Sequence, residues 1–203
     1  SSDLHFARYR ETMQEDRRLL LDRFKLKDAA MKVVGVGSVG TQAMILLMVG
    51  RDDRDVLFLQ AKEAQSSVMQ QYAVVGEYSN HGERVVAGQR LMQAASDIFL
   101  GWTEDAVSGR HFYVRQLKNR RLGSVSELVE QRALASYAHL CGRTLARAHA
   151  RSADPAVLTG YMGKNDVMDD ALASFAMAYA ARTQSDYDRL VKAKRPATKA
   201  TLK

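Results

Sequence analysis

Gly35, Gly37 and Gly40 form a G-x-G-x-x-G, with Ser38 beside the second glycine, and the third apolar stretch that follows closes on a lysine, Lys62. Glycines at this spacing let a backbone come close to phosphate oxygens, because no Cβ blocks the approach and positive φ costs little. A lysine that ends a strand can pair with the same oxygens as a point charge. The chemistry these residues suit is phosphate binding, with Gly35, Gly37, Ser38 and Gly40 covering the phosphates and Lys62 neutralising them. Each feature also has a plainer account. Glycines between strands often make only a tight turn, and a terminal strand lysine is often a solvated edge charge.

Two kinds of fold use this fingerprint, and the residues after Gly40 separate them. A dinucleotide-binding unit needs a crossover helix there and then a second strand. A protein-kinase-like clamp needs a strand, a turn, and a third strand carrying the lysine. Nine residues, Thr41 to Val49, precede Gly50-Arg51-Asp52-Asp53-Arg54-Asp55. That is short for a crossover helix, and Gly-Arg-Asp-Asp is turn chemistry. The spacing favours a strand, although Ala43 to Met48 contains good helix formers and keeps the helix open as an alternative. A kinase-like site also needs a carboxylate from the next helix to fix the lysine head group. Glu83 and Glu77 are the candidates. Neither falls in mid-helix, and Glu83 also suits a first helical turn, where the macrodipole favours an acid.

The elements that must hold these residues follow from periodicity. The spacing predicts helices near the start, with Asp3 as an N-cap for Phe6, Tyr9 and Met13, and from about Asp16 with Leu20, Leu21 and Phe24. Strands are expected from Met31, over Thr41–Val49 and over Val56–Glu63. Residues 65–75 read as a helix or an irregular connector. A helix should run from about Glu83 to Ala95, with Val85, Val86, Met92 and Ala95 inward. Two further strands are expected at Asp97–Trp102 and His111–Leu117, after which Gln116-Leu117-Lys118 would meet an adenine edge. Ser124 and Glu127 make a capping box before an amphipathic helix carrying Leu134, Tyr137, Ala138, Cys141, Leu145 and Ala148. His139, Arg143, Arg147 and Arg151 stripe another face, a surface for phosphate or an acidic partner or simply a solvated face. A short element from Pro155 and a last helix from about Asp170 complete the chain. The expected class is α+β: a five-stranded antiparallel sheet with an inserted helix, like a kinase small lobe, packed with a mostly helical C-terminal part. Its divisions are a helical segment over 1–30, a glycine-loop lobe over 31–120, a helical lobe over 121–191 and a basic, disordered tail over 192–203.

Composition sets outer limits. The 203 residues are 46% hydrophobic and 26% charged, ordinary for a globular domain. One cysteine, Cys141, excludes an internal disulfide and suits a reducing compartment, and five scattered histidines make no zinc site. No signal-peptide pattern or membrane-length apolar run is present, so the expected location is the cytoplasm, without membrane partners. The net charge is +7, but Lys192, Lys194, Arg195, Lys199 and Lys203 lie in the last twelve residues; subtracting those five leaves +2 on the rest. A basic tail can hold nucleic acid through phosphates. The charge is so confined to the end that a nucleic acid is not the expected partner. A start without an initiator methionine suggests a piece of a longer protein. The oligomeric state is not readable.

Lys32 to Thr41, Leu59-Gln60-Ala61-Lys62-Glu63-Ala64, Gly88 to Trp102 and Leu145 to Ser152 resemble the bacterial family called domain of unknown function 2252, over nearly the whole chain. The resemblance implies an upstream Gly-Asp-x-His-x-x-Asn-like segment and an Asp-rich one, similar to the catalytic and metal-binding loops of aminoglycoside-phosphotransferase-type kinases in permuted order. Neither is present here. His149-Ala150-Arg151-Ser152, the nearest candidate, lacks the aspartate that accepts a hydroxyl proton and the asparagine that holds a metal ion. The expected function is therefore the nucleotide (ATP)-binding portion of a kinase-like phosphotransferase or pseudokinase. Any Mg2+ would be held by residues outside the chain, and a small molecule or protein would accept the phosphate. The alternatives are a dinucleotide-binding module, or a non-enzymatic interaction domain that meets acidic partners through its basic tail.

Overall fold

The structure, a computed structural model, describes residues 2–33, 39–73, 76, 78–117, 127, 129 and 132–194. The chain divides into two compact units, residues 1–152 and 153–203.

The first unit is built on an antiparallel sheet of β1 (Lys25–Met31), β2 (Ala43–Val49), β3 (Val56–Ala64), β4 (Gly101–Glu104) and β5 (His111–Gln116), in the spatial order β1-β2-β3-β5-β4. The expected five strands are present. Hairpins follow from local chemistry: the Gly50–Asp55 turn is closed by Gly50 N–H to the Asp55 carbonyl at 2.7 Å, with Asp52 accepting from Arg54 N–H at 2.8 Å. Because β2 is a strand paired on both sides, the helix that a dinucleotide-binding unit requires after Gly40 is absent, and that alternative falls.

Strand alternation gives the sheet two faces. Leu57, Leu59 and Ala61 of β3, with Met48 and Val114, pack on one face against Tyr9, Met13, Leu21 and Phe99. Those four come from or beside α1 (Ser2–Glu11), α2 (Glu15–Leu21) and the approach to β4. Helix α1 already includes Ser2, so Asp3 lies inside it rather than at its N-cap. The other face carries α3 (His81–Met92), inserted between β3 and β4 in sequence. Asn80 caps α3 by accepting from Glu83 N–H at 3.1 Å. Of the four residues expected to face inward from this helix, only Val86 is buried; Val85 is intermediate, and Met92 and Ala95 are exposed.

Two strands depart from expectation. β1 ends at Met31, where it was expected to begin, and Val33 is 99% exposed. Its sequence, Lys-Leu-Lys-Asp-Ala-Ala-Met, has no β-branched residue and no alternation. It is an edge strand held by its ladder to β2, with a bulge between Leu26 and Asp28. β4 begins at Gly101 rather than Asp97, because the Asp97 side chain turns the chain by accepting from Phe99 N–H at 2.9 Å.

Helix α4 (Leu134–Ser152) contacts α3 and belongs to this unit. Ser124 of the expected capping box lies outside the described residues. In the second unit, Asp154 caps α5 (Pro155–Met162), and Gly163 ends it at φ +74°. Helix α6 (Val167–Lys194) starts earlier than Asp170 and continues through Lys192 and Lys194. These two tail residues are therefore helical; the remainder of the tail lies outside the described residues. Among the described residues no helix is long and apolar enough to cross a membrane.

Candidate functional site

Lys62 stands near the end of β3, which is a central strand with β2 on one side and β5 on the other. The solvated-edge account of this lysine does not fit that position. Cross-strand register places Lys62 opposite Ala43 on β2 and Tyr113 on β5, and Tyr113 opposite Trp102 on β4. Directly paired residues share a face, so these four form one row. Helix α3 lies over that same face: the Arg90 guanidinium sits 5.9 Å from the centre of the Trp102 ring, and the His81 and His111 rings are 5.3 Å apart. Lys62 is half-buried, on the face opposite the α1–α2 core.

The loop that carries the glycines joins β1 to β2, so it leaves the sheet beside the Lys62 end of β3. Gly35, Gly37 and Ser38 lie outside the described residues. Gly40 has φ +84°, and a Cβ added to it would meet nothing within 4 Å; the constraint there is conformational rather than steric, and only glycine adopts it freely. The loop is fastened at its β2 end by Glu63, which sequence reasoning missed. Glu63 N–H donates to the Gln42 carbonyl and Gln42 N–H donates to the Glu63 carboxylate, both at 2.8 Å. The Glu63 side chain is 9% exposed, with the Arg110 guanidinium 3.9 Å away. The signal was available. Alternation after Lys62 turns Glu63 toward the core face, where a carboxylate must find donors.

Glu83 sits in the first turn of α3, at the positive end of the helix. It forms no ion pair with Lys62 among the described residues. Glu77 lies outside them. The proposed adenine edge is already engaged on its donor side, since Gln116 N–H donates to Asp97 at 3.2 Å and Leu117 N–H to the Phe58 carbonyl at 2.8 Å; Lys118 lies outside the described residues. His149 to Ser152 form the last turn of α4 rather than a loop. Among the described residues no three His, Cys, Asp or Glu side chains cluster as metal ligands would.

Residues 3–193 match the bacterial family described as an uncharacterized protein conserved in bacteria, domain of unknown function 2252. The chain belongs to this family. No curated protein and no solved structure shows significant similarity to it.

In this member of domain of unknown function 2252, the long stretch from Gly88 to Trp102 joins α3 to the sheet. Arg90 donates to the Leu100 carbonyl at 2.7 Å while lying over Trp102. Burial pushes its guanidinium below the ordinary arginine range. Asp97 bridges Phe99 N–H and Gln116 N–H, tying the start of β4 to the end of β5. Tyr9 donates to the Phe99 carbonyl. A Cβ on Gly101 would lie 2.8 Å from both Thr12 Oγ1 and Tyr9 Cε2. Together these contacts fix α1, α3 and the end of β5 to β4 and its approach. The bonds of this stretch are thus structural ones, and the residues singled out for phosphate chemistry lie elsewhere, around Lys62.

Proposed function

We propose that this chain supplies the ATP-binding portion of a kinase-like phosphotransferase or pseudokinase. The observation that carries the reading is the placement of Lys62. It lies on a central strand, on the face shared with α3, one residue from the Glu63 carboxylate that fastens the glycine-bearing loop. The strand order β1-β2-β3-β5-β4, with a helix between the third and fourth strands in sequence, also agrees with the expected small-lobe layout. In this reading Gly35, Gly37, Ser38 and Gly40 cover the phosphates and Lys62 meets them as a point charge. Phosphoryl transfer depends chiefly on positioning and charge. In this reading the chain supplies those, and His149 to Ser152 carry no aspartate to accept a hydroxyl proton, so its own contribution is binding.

The test is titration of the full-length protein with ATP and ADP, read by thermal shift and calorimetry. Ligand at a hundredfold excess over Kd should add about 2.7 kcal/mol to stability. Lys62→Ala should weaken binding about tenfold or more, the scale of one charge-assisted contact. Absence of any shift at millimolar nucleotide would remove the proposal.

A further inference from the structure

The core face of the sheet is not filled evenly. Helix α1 is fastened at the β4 side: Tyr9 donates to the Phe99 carbonyl, Thr12 Oγ1 accepts from Trp102 N–H at 2.9 Å, and Thr103 Oγ1 donates to the His5 carbonyl at 3.0 Å. Toward β1 and β2 the helix has no such bonds among the described residues, and two of the sheet positions beneath it are alanines, Ala29 and Ala61. The result is a cavity of about 220 Å³ between α1 and the sheet. Phe6, Tyr9 and Phe112 give it aromatic walls, and Met44 and Leu46 contribute to its lining. Four polar side chains line it besides Tyr9: Gln42, Thr103, Asp105 and His5, the last two paired at 3.3 Å.

Protein interiors close-pack, and a void costs contacts on every wall. Collapse is resisted here because the bonds to β4 set the height of α1 above the sheet. An apolar cavity of about 150 Å³ already takes a benzene ring. This one is larger, and it has the mark of a small-molecule site, mostly apolar walls with a few convergent polar groups. We infer that the cavity between α1 and the sheet is a binding site for a small aromatic molecule of one or two rings carrying a hydrogen-bond donor. The rings lie against Phe6, Tyr9 and Phe112, and the donor faces the Gln42 amide oxygen or the Asp105 carboxylate, which also accepts from Ser108 Oγ and Val107 N–H. The site is on the opposite face from Lys62 and is independent of nucleotide binding. Among the described residues, its contact with the glycine-bearing loop is through Gln42.

Indole and tryptamine serve as probes, with the full-length protein titrated by calorimetry and by proton NMR of the aromatic resonances. Saturable binding of either probe is expected, with Kd at least tenfold weaker in Ala61→Leu and in Ala29→Leu, which fill the cavity from β3 and from β1. Both variants should melt at or above the wild-type temperature, since the added methyl groups enter free space. Lys62→Ala should bind both probes as the wild type does, which separates this site from the nucleotide clamp. The inference is overturned if neither probe saturates at millimolar concentration. It is overturned equally if a cavity-filling variant that folds binds them with unchanged affinity.

Discussion

Two adjacent side chains on β3 answer opposite demands. Lys62 points to the α3 face with no ion-pair partner among the described residues, and Glu63 points to the core face, where Gln42 N–H donates to it and the Arg110 guanidinium lies 3.9 Å away. Removing the second should cost more than removing the first. Glu63→Ala leaves Gln42 N–H without its acceptor, so a loss of about 1–3 kcal/mol is expected by chemical denaturation; Lys62→Ala should fall within about 0.5 kcal/mol of wild type. Equal effects would show that the Glu63 bonds do not hold the loop. Tyr9 gives a prediction with a sign in pH. Burial first, and the Asp97 charge second, push its phenol well above the ordinary tyrosine range. The unfolded chain then ionises first, near pH 10. The stability Tyr9 contributes is complete below that pH and is lost as pH rises beyond it, by about 1.4 kcal/mol per unit. Tyr9→Phe should be about 1–2 kcal/mol less stable at neutral pH, through its lost bond to Phe99, and should show a shallower alkaline decline. A parallel decline in the two proteins would count against this account. The place of Lys62 near the end of the third strand was legible in the sequence because a lysine closing an apolar strand is conspicuous. The role of Glu63 was not, because it depends on which loop the fold brings beside it.

Among the elements, α3 separates two glycines that look alike in sequence. A Cβ on Gly82 would lie 2.4 Å from the Phe112 carbonyl oxygen, a backbone atom that cannot rotate away. Gly88 has nothing within 4 Å. Gly82→Ala should therefore destabilise the fold by more than about 2 kcal/mol, the range of core overpacking. Gly88→Ala should be neutral or stabilise it by up to about 1 kcal/mol, as alanine restrains the unfolded chain and favours helix. Melting curves of the two variants check both. Similar values would mean that α3 does not seat on β5 at Gly82. The β2–β3 hairpin was readable because its turn residues satisfy their own backbone. β1 was not, since an edge strand is specified by its partner's free ladder and its own side chains need not alternate. The start of β4 was displaced for a related reason: an aspartate that hydrogen-bonds forward two residues overrides the strand tendency of Ile98 and Phe99.

For the molecule as a whole, the class and the five strands could be read from turns and spacing, because antiparallel neighbours are local in sequence. What could not be read is which face each helix covers, a matter of contacts between residues some 90 positions apart, such as Thr12 with Trp102. Burial is concentrated in the first unit: β3 carries five buried positions, while α4, α5 and α6 carry none among the described residues. Amide hydrogen exchange should follow that distribution, slowest in β3 and its neighbours β2 and β5, faster in β1 and fastest along α6. Protection in α6 equal to that in β3 would reveal a further surface covering it. The sheet order also has a mechanical meaning. The connection between β1 and β2 is bonded at both of its described ends. Lys32 N–H donates to the Ala43 carbonyl at 2.8 Å, and Gln42 is bolted through Glu63 to the central strand. A load at Gln42 is carried into β3, directly beside Lys62. The strand that carries the lysine is thus also the anchor of the connection's β2 end.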